Sequence, residues 1–234
     1  MSGRTAVQAH RGSPDPDGGV RENTLAAFER ARTLGADGVE LDVRLTADGA
    51  LAVHHDPVIA GVGPVHELAA ADLPAHVPLL AEALDACSGM VVNIEVKNLP
   101  AEPAFDPSDR CARDVVDVVV ASDLVGSVIV SSFWGGALAA VRDAAAGVPT
   151  GLLVLSGFDP ATAVAGAVGL GCVAVHLPIG LVTPITVAAA HDAGLAVAAW
   201  TVADREALEV VLGAWVDTVV TDDVAMTRRV VDLV

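Results

Sequence analysis

Eight short segments that read as β-strands recur along this chain, each followed by a stretch that reads as a helix, and this alternation leaves few folds open. The strand candidates are residues 5–9, 39–43, 91–96, 128–131, 151–155, 172–175, 196–200 and 219–221. They are rich in β-branched residues or continuously apolar, as strands covered on both faces must be. Helix signals lie between them. Asn23 and Thr24 stand as caps before Leu25, Phe28, Ala31 and Leu34, with Gly35 at the end. Asp159-Pro160 and Thr183-Pro184 each set a capping side chain before a proline suited to the first helical position, and Gly194 and Gly213 mark helix ends. Eight strands alternating with helices predict an α/β fold, a (β/α)₈ TIM barrel. A length of 234 residues fits one such barrel, so residues 1–234 are expected to form a single domain.

Residues 51–54 break the alternation. They follow Asp48-Gly49, a hairpin signal, and are expected to fold back antiparallel on the end of strand 2. Residues 58–78 then make a small excursion before a helix near 79–86. Aromatic residues are only 3% of the chain and Tyr is absent, so Val, Leu, Ile and Ala must fill the interior.

The net charge of −17, from 13 Lys and Arg against 30 Asp and Glu, argues against nucleic acid or an anionic membrane as partner. No run of 18 apolar residues exists to span a bilayer, and the first residues lack a basic stretch followed by an apolar one. Cys87, Cys111 and Cys172 are odd in number and without metal-ligand spacing, which suits a reducing compartment. A cytoplasmic protein is therefore expected.

Polar residues collect at the ends of the strand candidates, where barrel enzymes keep their chemistry. Glu40 and Asp42 flank Leu41, and in a strand residues i and i+2 share a face, so both carboxylates point to the barrel mouth. Two neighbouring anions call for a cation or a shared proton. Glu95 adds a third carboxylate from strand 3, and an oxygen-only set favours Mg²⁺ or Ca²⁺ over zinc. Lys97 shares the face of Glu95, either as its ion-pair partner or as a donor to a phosphoryl oxygen. His10 and Arg11 end strand 1, and Arg11 offers a planar fork for phosphate. His54 and His55 point opposite ways in an extended segment, and Asp56-Pro57 leaves His55 at the mouth. Two imidazoles on either side of a phosphate suit general acid and general base. Glu22 is placed to orient Arg11 or His10, and Trp200 either fills the core or stacks on a substrate's carbon skeleton.

Taken in order, these residues carry a family pattern. The chain resembles the glycerophosphodiester phosphodiesterases through His10-Arg11-Gly12, Glu22-Asn23-Thr24, the run Gly35 to Val43 with Glu40 and Asp42, Thr46-Ala47-Asp48-Gly49, and His55-Asp56-Pro57. Asn93-Ile94-Glu95-Val96-Lys97, Ser132-Phe133, Trp200-Thr201-Val202 and Thr221-Asp222 complete the pattern. The resemblance implies a (β/α)₈ barrel that cleaves glycerophosphodiesters to sn-glycerol 3-phosphate and an alcohol. It implies one divalent cation on Glu40, Asp42 and Glu95, an acid/base pair of His10 and His55, phosphoryl contacts from Arg11 and Lys97, and a glycerol contact from Trp200. A mechanism suggested for relatives uses the glycerol 2-hydroxyl as internal nucleophile. Arg21, the stretch from Val58 to Val62, Val77-Pro78-Leu79-Leu80, Ala203 and Asp223-Val224 depart from the usual family residues. Several of these fall where the alcohol half of a substrate would sit, so they bear on substrate choice rather than reaction type. A lysophospholipase D-like enzyme on the same barrel, or a silent metal-stabilised binding module, are the alternatives.

Overall fold

The computed structural model describes residues 4–233. Eight parallel strands close into a barrel: β1 (Ala6–Ala9), β2 (Gly38–Leu45), β6 (Val91–Val96), β7 (Val128–Ser132), β8 (Thr150–Leu153), β9 (Ala174–Pro178), β10 (Ala196–Val202) and β11 (Thr218–Thr221). The sheet runs β1-β11-β10-β9-β8-β7-β6-β2, and β1 pairs with β2 to close the ring. Eight helices cover it: α1 (Leu25–Thr33), α2 (Leu80–Ala86), α3 (Arg110–Ala121), α4 (Gly135–Ala144), α5 (Pro160–Gly169), α6 (Pro184–Asp192), α7 (Arg205–Gly213) and α8 (Val224–Val231). This is the (β/α)₈ barrel expected from the alternation. None of these helices is long and apolar enough to cross a membrane.

The irregular segment after strand 2 folds back as read from the sequence. Strand β3 (Leu51–Val53) pairs antiparallel with the far end of β2, with Val43 opposite Val53. The excursion holds a tiny hairpin, β4 (Val58–Ile59) and β5 (Gly63–Pro64), and two 3₁₀ turns. Ala52, Ile59, Val65 and Val77 give it a small core of its own.

Strand periodicity sorts the side chains of β2 and β6. Val39, Leu41 and Val43, with Val92, Ile94 and Val96, face outward and pack under Phe28, Ala31, Leu80 and Leu84. Burial of each such large side chain contributes about 1.5–3 kcal/mol, so the main apolar core is the layer between strands and helices. The alternate residues Glu40, Asp42, Asn93 and Glu95 are left for the barrel interior. Gly12 lets the chain turn from β1 under α1: its φ is +79°, and a Cβ there would lie 2.8 Å from the Cβ of Ala27.

Two local expectations are corrected. The strand expected at 172–175 begins at Ala174, because Cys172 is still held in the turn that closes α5, donating its N–H to the carbonyl of Ala167. Thr24 alone caps α1, its hydroxyl accepting from the Ala27 N–H, while Asn23 has a different task described below. The Pro-led caps at Asp159 and Thr183 form as read.

Candidate active site

Strand register brings the three carboxylates together. Asp42 of β2 lies opposite Glu95 of β6, and Glu40 lies two residues below on the same face. One oxygen from each of Glu40, Asp42 and Glu95 falls within 4.8 Å of the others, and the three residues are only 5%, 1% and 7% exposed. Three buried anions so close need compensation. The Lys97 ammonium supplies part of it, 3.0 Å from Asp42 Oδ1 and 2.5 Å from Glu95 Oε1. Arg11 adds to it: its guanidinium Nε lies 3.4 Å from Asp42, and its backbone N–H donates to Glu40 at 2.9 Å.

Two cations do not balance three carboxylates. Burial, with the charge of Asp42 added, pushes the Glu40 carboxyl up to about 8. Burial likewise pushes Glu95 up to about 7 against the pull of Lys97. Asp42 goes the other way: burial works against its charge, but Lys97, His55 and Arg11 and a hydrogen bond from Asn23 outweigh it. With all three carboxylates ionised, Lys97 and Arg11 leave the cluster one positive charge short, and its donors are hard oxygens on two neighbouring parallel strands. That chemistry fits a divalent Mg²⁺- or Ca²⁺-type ion.

Asn23 holds the cluster from outside. With φ of +54° it turns its amide inward, where Nδ2 donates to Asp42 Oδ2 at 2.8 Å and Oδ1 accepts the Asp42 N–H. Asn23→Ala is expected to destabilise the fold by about 1–3 kcal/mol, the cost of leaving a buried charge short of a donor. A urea denaturation midpoint equal to that of the unaltered protein would refute this role.

The imidazoles of His10 and His55 line the same cavity as Arg11, Glu40, Glu95 and Lys97. Each has a carboxylate behind it. His10 Nδ1 lies 2.7 Å from Asp222, and His55 Nδ1 lies 2.8 Å from Asp56. A carboxylate only accepts, so in both rings Nδ1 carries the hydrogen and Nε2 is free to work. Their environments differ. Burial disfavours the charged form of His10, but the bond to Asp222 and the charge of Glu40 overcome it and raise its pKa. Burial lowers that of His55, helped by Lys97 and Arg11 and only partly offset by Asp42. His54 is half-buried and does not line this cavity.

Glu22 receives a hydrogen bond from Arg11 Nη1 at 3.0 Å. Trp200 forms a wall with Phe133, their rings edge to face at 5.6 Å, and its indole N–H donates to the His176 carbonyl. The cavity these groups share measures about 120 Å³. Asp42 sits just behind it rather than on its lining.

Sequence reasoning passed over several supporting residues. Asp222 was a strand-end residue of no stated role, and only the closure of β11 on β1 sets it beside His10. Arg44 was not singled out, although it continues the Glu40, Asp42 periodicity. It is buried, donates through Nε to the His55 carbonyl at 2.7 Å, and pairs through both terminal nitrogens with Glu102 at 2.6 and 3.1 Å.

Residues 10–226 match the profile of the Glycerophosphoryl diester phosphodiesterase family. A glycerophosphodiester phosphodiesterase of Caldanaerobacter subterraneus subsp. tengcongensis is 30% identical over 241 residues, spanning 94% of this chain and 95% of the relative. Among solved structures, a glycerophosphodiester phosphodiesterase from Parabacteroides distasonis is similar in fold, with a TM-score of 0.86 at 24% identity over 98% of both chains. So is an Oleispira antarctica phosphodiesterase in complex with the product sn-glycerol-3-phosphate, at a TM-score of 0.83 and 24% identity over 98% of this chain and 97% of that one.

Proposed function

The chain belongs to the glycerophosphoryl diester phosphodiesterase family, and on that premise we propose that it hydrolyses glycerophosphodiesters to sn-glycerol 3-phosphate and an alcohol, using one divalent cation and the pair His10 and His55. One observation carries the reading: two imidazoles with opposite pKa shifts face one small cavity that also holds Arg11, Lys97 and the carboxylate cluster. Opposed shifts in neighbouring titratable groups sort the acid from the base.

His55, biased toward its neutral form, takes the proton from the glycerol 2-hydroxyl as that oxygen attacks phosphorus. His10, biased toward its charged form, gives the proton from Nε2 to the oxygen of the departing alcohol. The bond to the alcohol breaks and a five-membered cyclic phosphate remains. Water then opens the ring, with the two imidazoles exchanging roles. Holding the 2-hydroxyl against its own phosphate makes the first step intramolecular, which removes much of its entropic cost. Arg11 and Lys97 stand where the phosphoryl oxygens gain charge. Trp200 and Phe133 offer an apolar wall to the glycerol carbons. Glu40, Asp42 and Glu95 would hold the cation, which when bound contributes positive charge at the reacting phosphate and acidifies a neighbouring hydroxyl.

Release of sn-glycerol 3-phosphate from glycerophosphocholine, glycerophosphoethanolamine and glycerophosphoglycerol, followed with a coupled assay in Mg²⁺ or Ca²⁺, tests the reading. Turnover of at least one diester is expected. Binding of the metal without release from any of the three would point instead to a silent binding module.

A further inference from the structure

The cavity is also lined by a polar floor of Asn93 of β6, Ser131 of β7 and His176 of β9, with Asn93 opposite Glu40 and Ser131 opposite Glu95 in the strand register. These side chains are 1%, 0% and 3% exposed. Two of their polar atoms are not satisfied by the protein. Asn93 Oδ1 and Ser131 Oγ have no hydrogen-bond partner. Burial alone pushes the His176 imidazole down to about 4, so the ring is neutral, with one nitrogen that donates and one that accepts. Buried polar groups without partners are costly and rare, and two on one cavity call for a common explanation.

Their surroundings have made room for them. Gly151 of β8 stands between Ser131 and the strand of His176, and a Cβ at that position would lie 2.4 Å from His176 Nε2. The absence of a side chain there is what lets the imidazole lie across the barrel. The same His176 accepts the Trp200 indole N–H through its backbone carbonyl, so the floor and the aromatic wall are tied together.

These three side chains carry no formal charge, unlike Glu40, Glu95, Arg11 and Lys97 on the same cavity. An acceptor amide oxygen, a hydroxyl and a neutral imidazole match a neutral group that both donates and accepts. That describes an alcohol hydroxyl, not a phosphate or a quaternary amine. We infer that Asn93, Ser131 and His176 receive the free terminal hydroxyl of the glycerol unit and so select diesters in which that hydroxyl is not esterified. The inference rests on the phosphodiesterase reading above and deepens it. An acyl ester at this oxygen has no hydrogen to donate, and its chain does not fit among residues this deeply buried. The floor thus separates glycerophosphodiesters from lysophospholipids.

The test compares glycerophosphocholine with 2-hydroxypropyl phosphocholine, which keeps the attacking hydroxyl and lacks only the terminal one, and with 1-acyl lysophosphatidylcholine. A site that hydrogen-bonds a hydroxyl rejects analogues without it strongly, so kcat/KM should favour glycerophosphocholine over each of the other two by at least about 100-fold. Ser131→Ala, and separately Asn93→Ala, should narrow the preference over the deoxy compound by about tenfold or more, with a thermal midpoint confirming that each variant is folded. Calorimetric binding of sn-glycerol 3-phosphate against propane-1,2-diol 1-phosphate, in Mg²⁺ and in Ca²⁺, gives the same comparison without turnover. Equal kcat/KM for glycerophosphocholine and the deoxy diester, or a preference unchanged in both folded variants, overturns the inference and leaves the phosphodiesterase reading standing. No turnover of any diester, together with a binding preference for sn-glycerol 3-phosphate that Ser131→Ala removes, upholds the floor and overturns the phosphodiesterase reading. No turnover and equal binding of the two phosphates overturns both.

Discussion

Alanine at His10 or at His55 is expected to lower kcat for glycerophosphocholine by about 10²–10⁴-fold, the usual contribution of a positioned acid or base, and the two losses should respond differently to the leaving group. His10 is assigned the proton that goes to the departing alcohol. A diester of p-nitrophenol leaves without that help, so the loss in His10→Ala should shrink on such a substrate. The loss in His55→Ala should persist, because the attacking hydroxyl still needs a base. The pH profile follows from the same assignment. Activity should rise with pH as His55, whose pKa is lowered, gives up its proton. It should fall again at higher pH as His10, whose pKa is raised, gives up its own. Asp222→Asn removes the charged partner at 2.7 Å and should move the alkaline limb to lower pH. Equal losses in both alanine variants on both substrates would sink the assignment of roles.

Stripping the divalent ion with EDTA should abolish turnover, and the metal-free protein should show a pH dependence of stability that the loaded protein lacks. Glu40 and Glu95 are pushed up to about 8 and about 7 when no ion is bound, both above their values in the unfolded chain. A raised carboxyl binds its proton more tightly in the folded state. Its contribution to stability is complete below the ordinary carboxylate range and is lost as pH rises through the folded value. The thermal midpoint of metal-free protein should therefore fall steadily between about pH 5 and pH 8. Asp42 is lowered and stays ionised across this range, facing Lys97 and Arg11. An ion entering the site must displace the protons on Glu40 and Glu95, so binding near neutral pH should release about one to two protons per ion. Titration calorimetry in buffers of different ionisation enthalpy reads that number. Full activity in excess chelator, or binding with no proton release, would falsify the assignment of Glu40, Asp42 and Glu95 as its ligands.

The parts of this molecule legible in its sequence are those fixed by short-range periodicity. Period two in β2 and β6 sets Glu40 with Asp42 and Glu95 with Lys97, and it sends Leu41 and Ile94 the other way into the helix-facing core. The Asp48-Gly49 turn signal announced the return of β3, which carries the chain to His55. What escaped depends on contacts between distant strands or on backbone handedness. His10 and Asp222 are 212 positions apart and become neighbours only when β1 and β11 close the ring. Asn23 before Thr24 reads as a cap, and only its left-handed backbone turns the amide toward Asp42. His176 lay just past the end of the strand expected at 172–175, whereas the strand runs Ala174–Pro178 and holds it in its middle. The polar floor was invisible for the same reason: Asn93, Ser131 and His176 lie on three different strands.

The Arg44 fork also sets a rule for anyone recombining this barrel with its relatives. Its guanidinium grips the His55 carbonyl on one side of the mouth and Glu102 on the other, so the two rim loops are not interchangeable parts. A chimera that imports one loop alone inherits half of a charge pair and strands the other half in a site too buried for water to compensate. Segments around 44, 55–57 and 99–109 are best transplanted as one cassette, and the unit of inheritance at this rim is a pair of loops joined by an arginine.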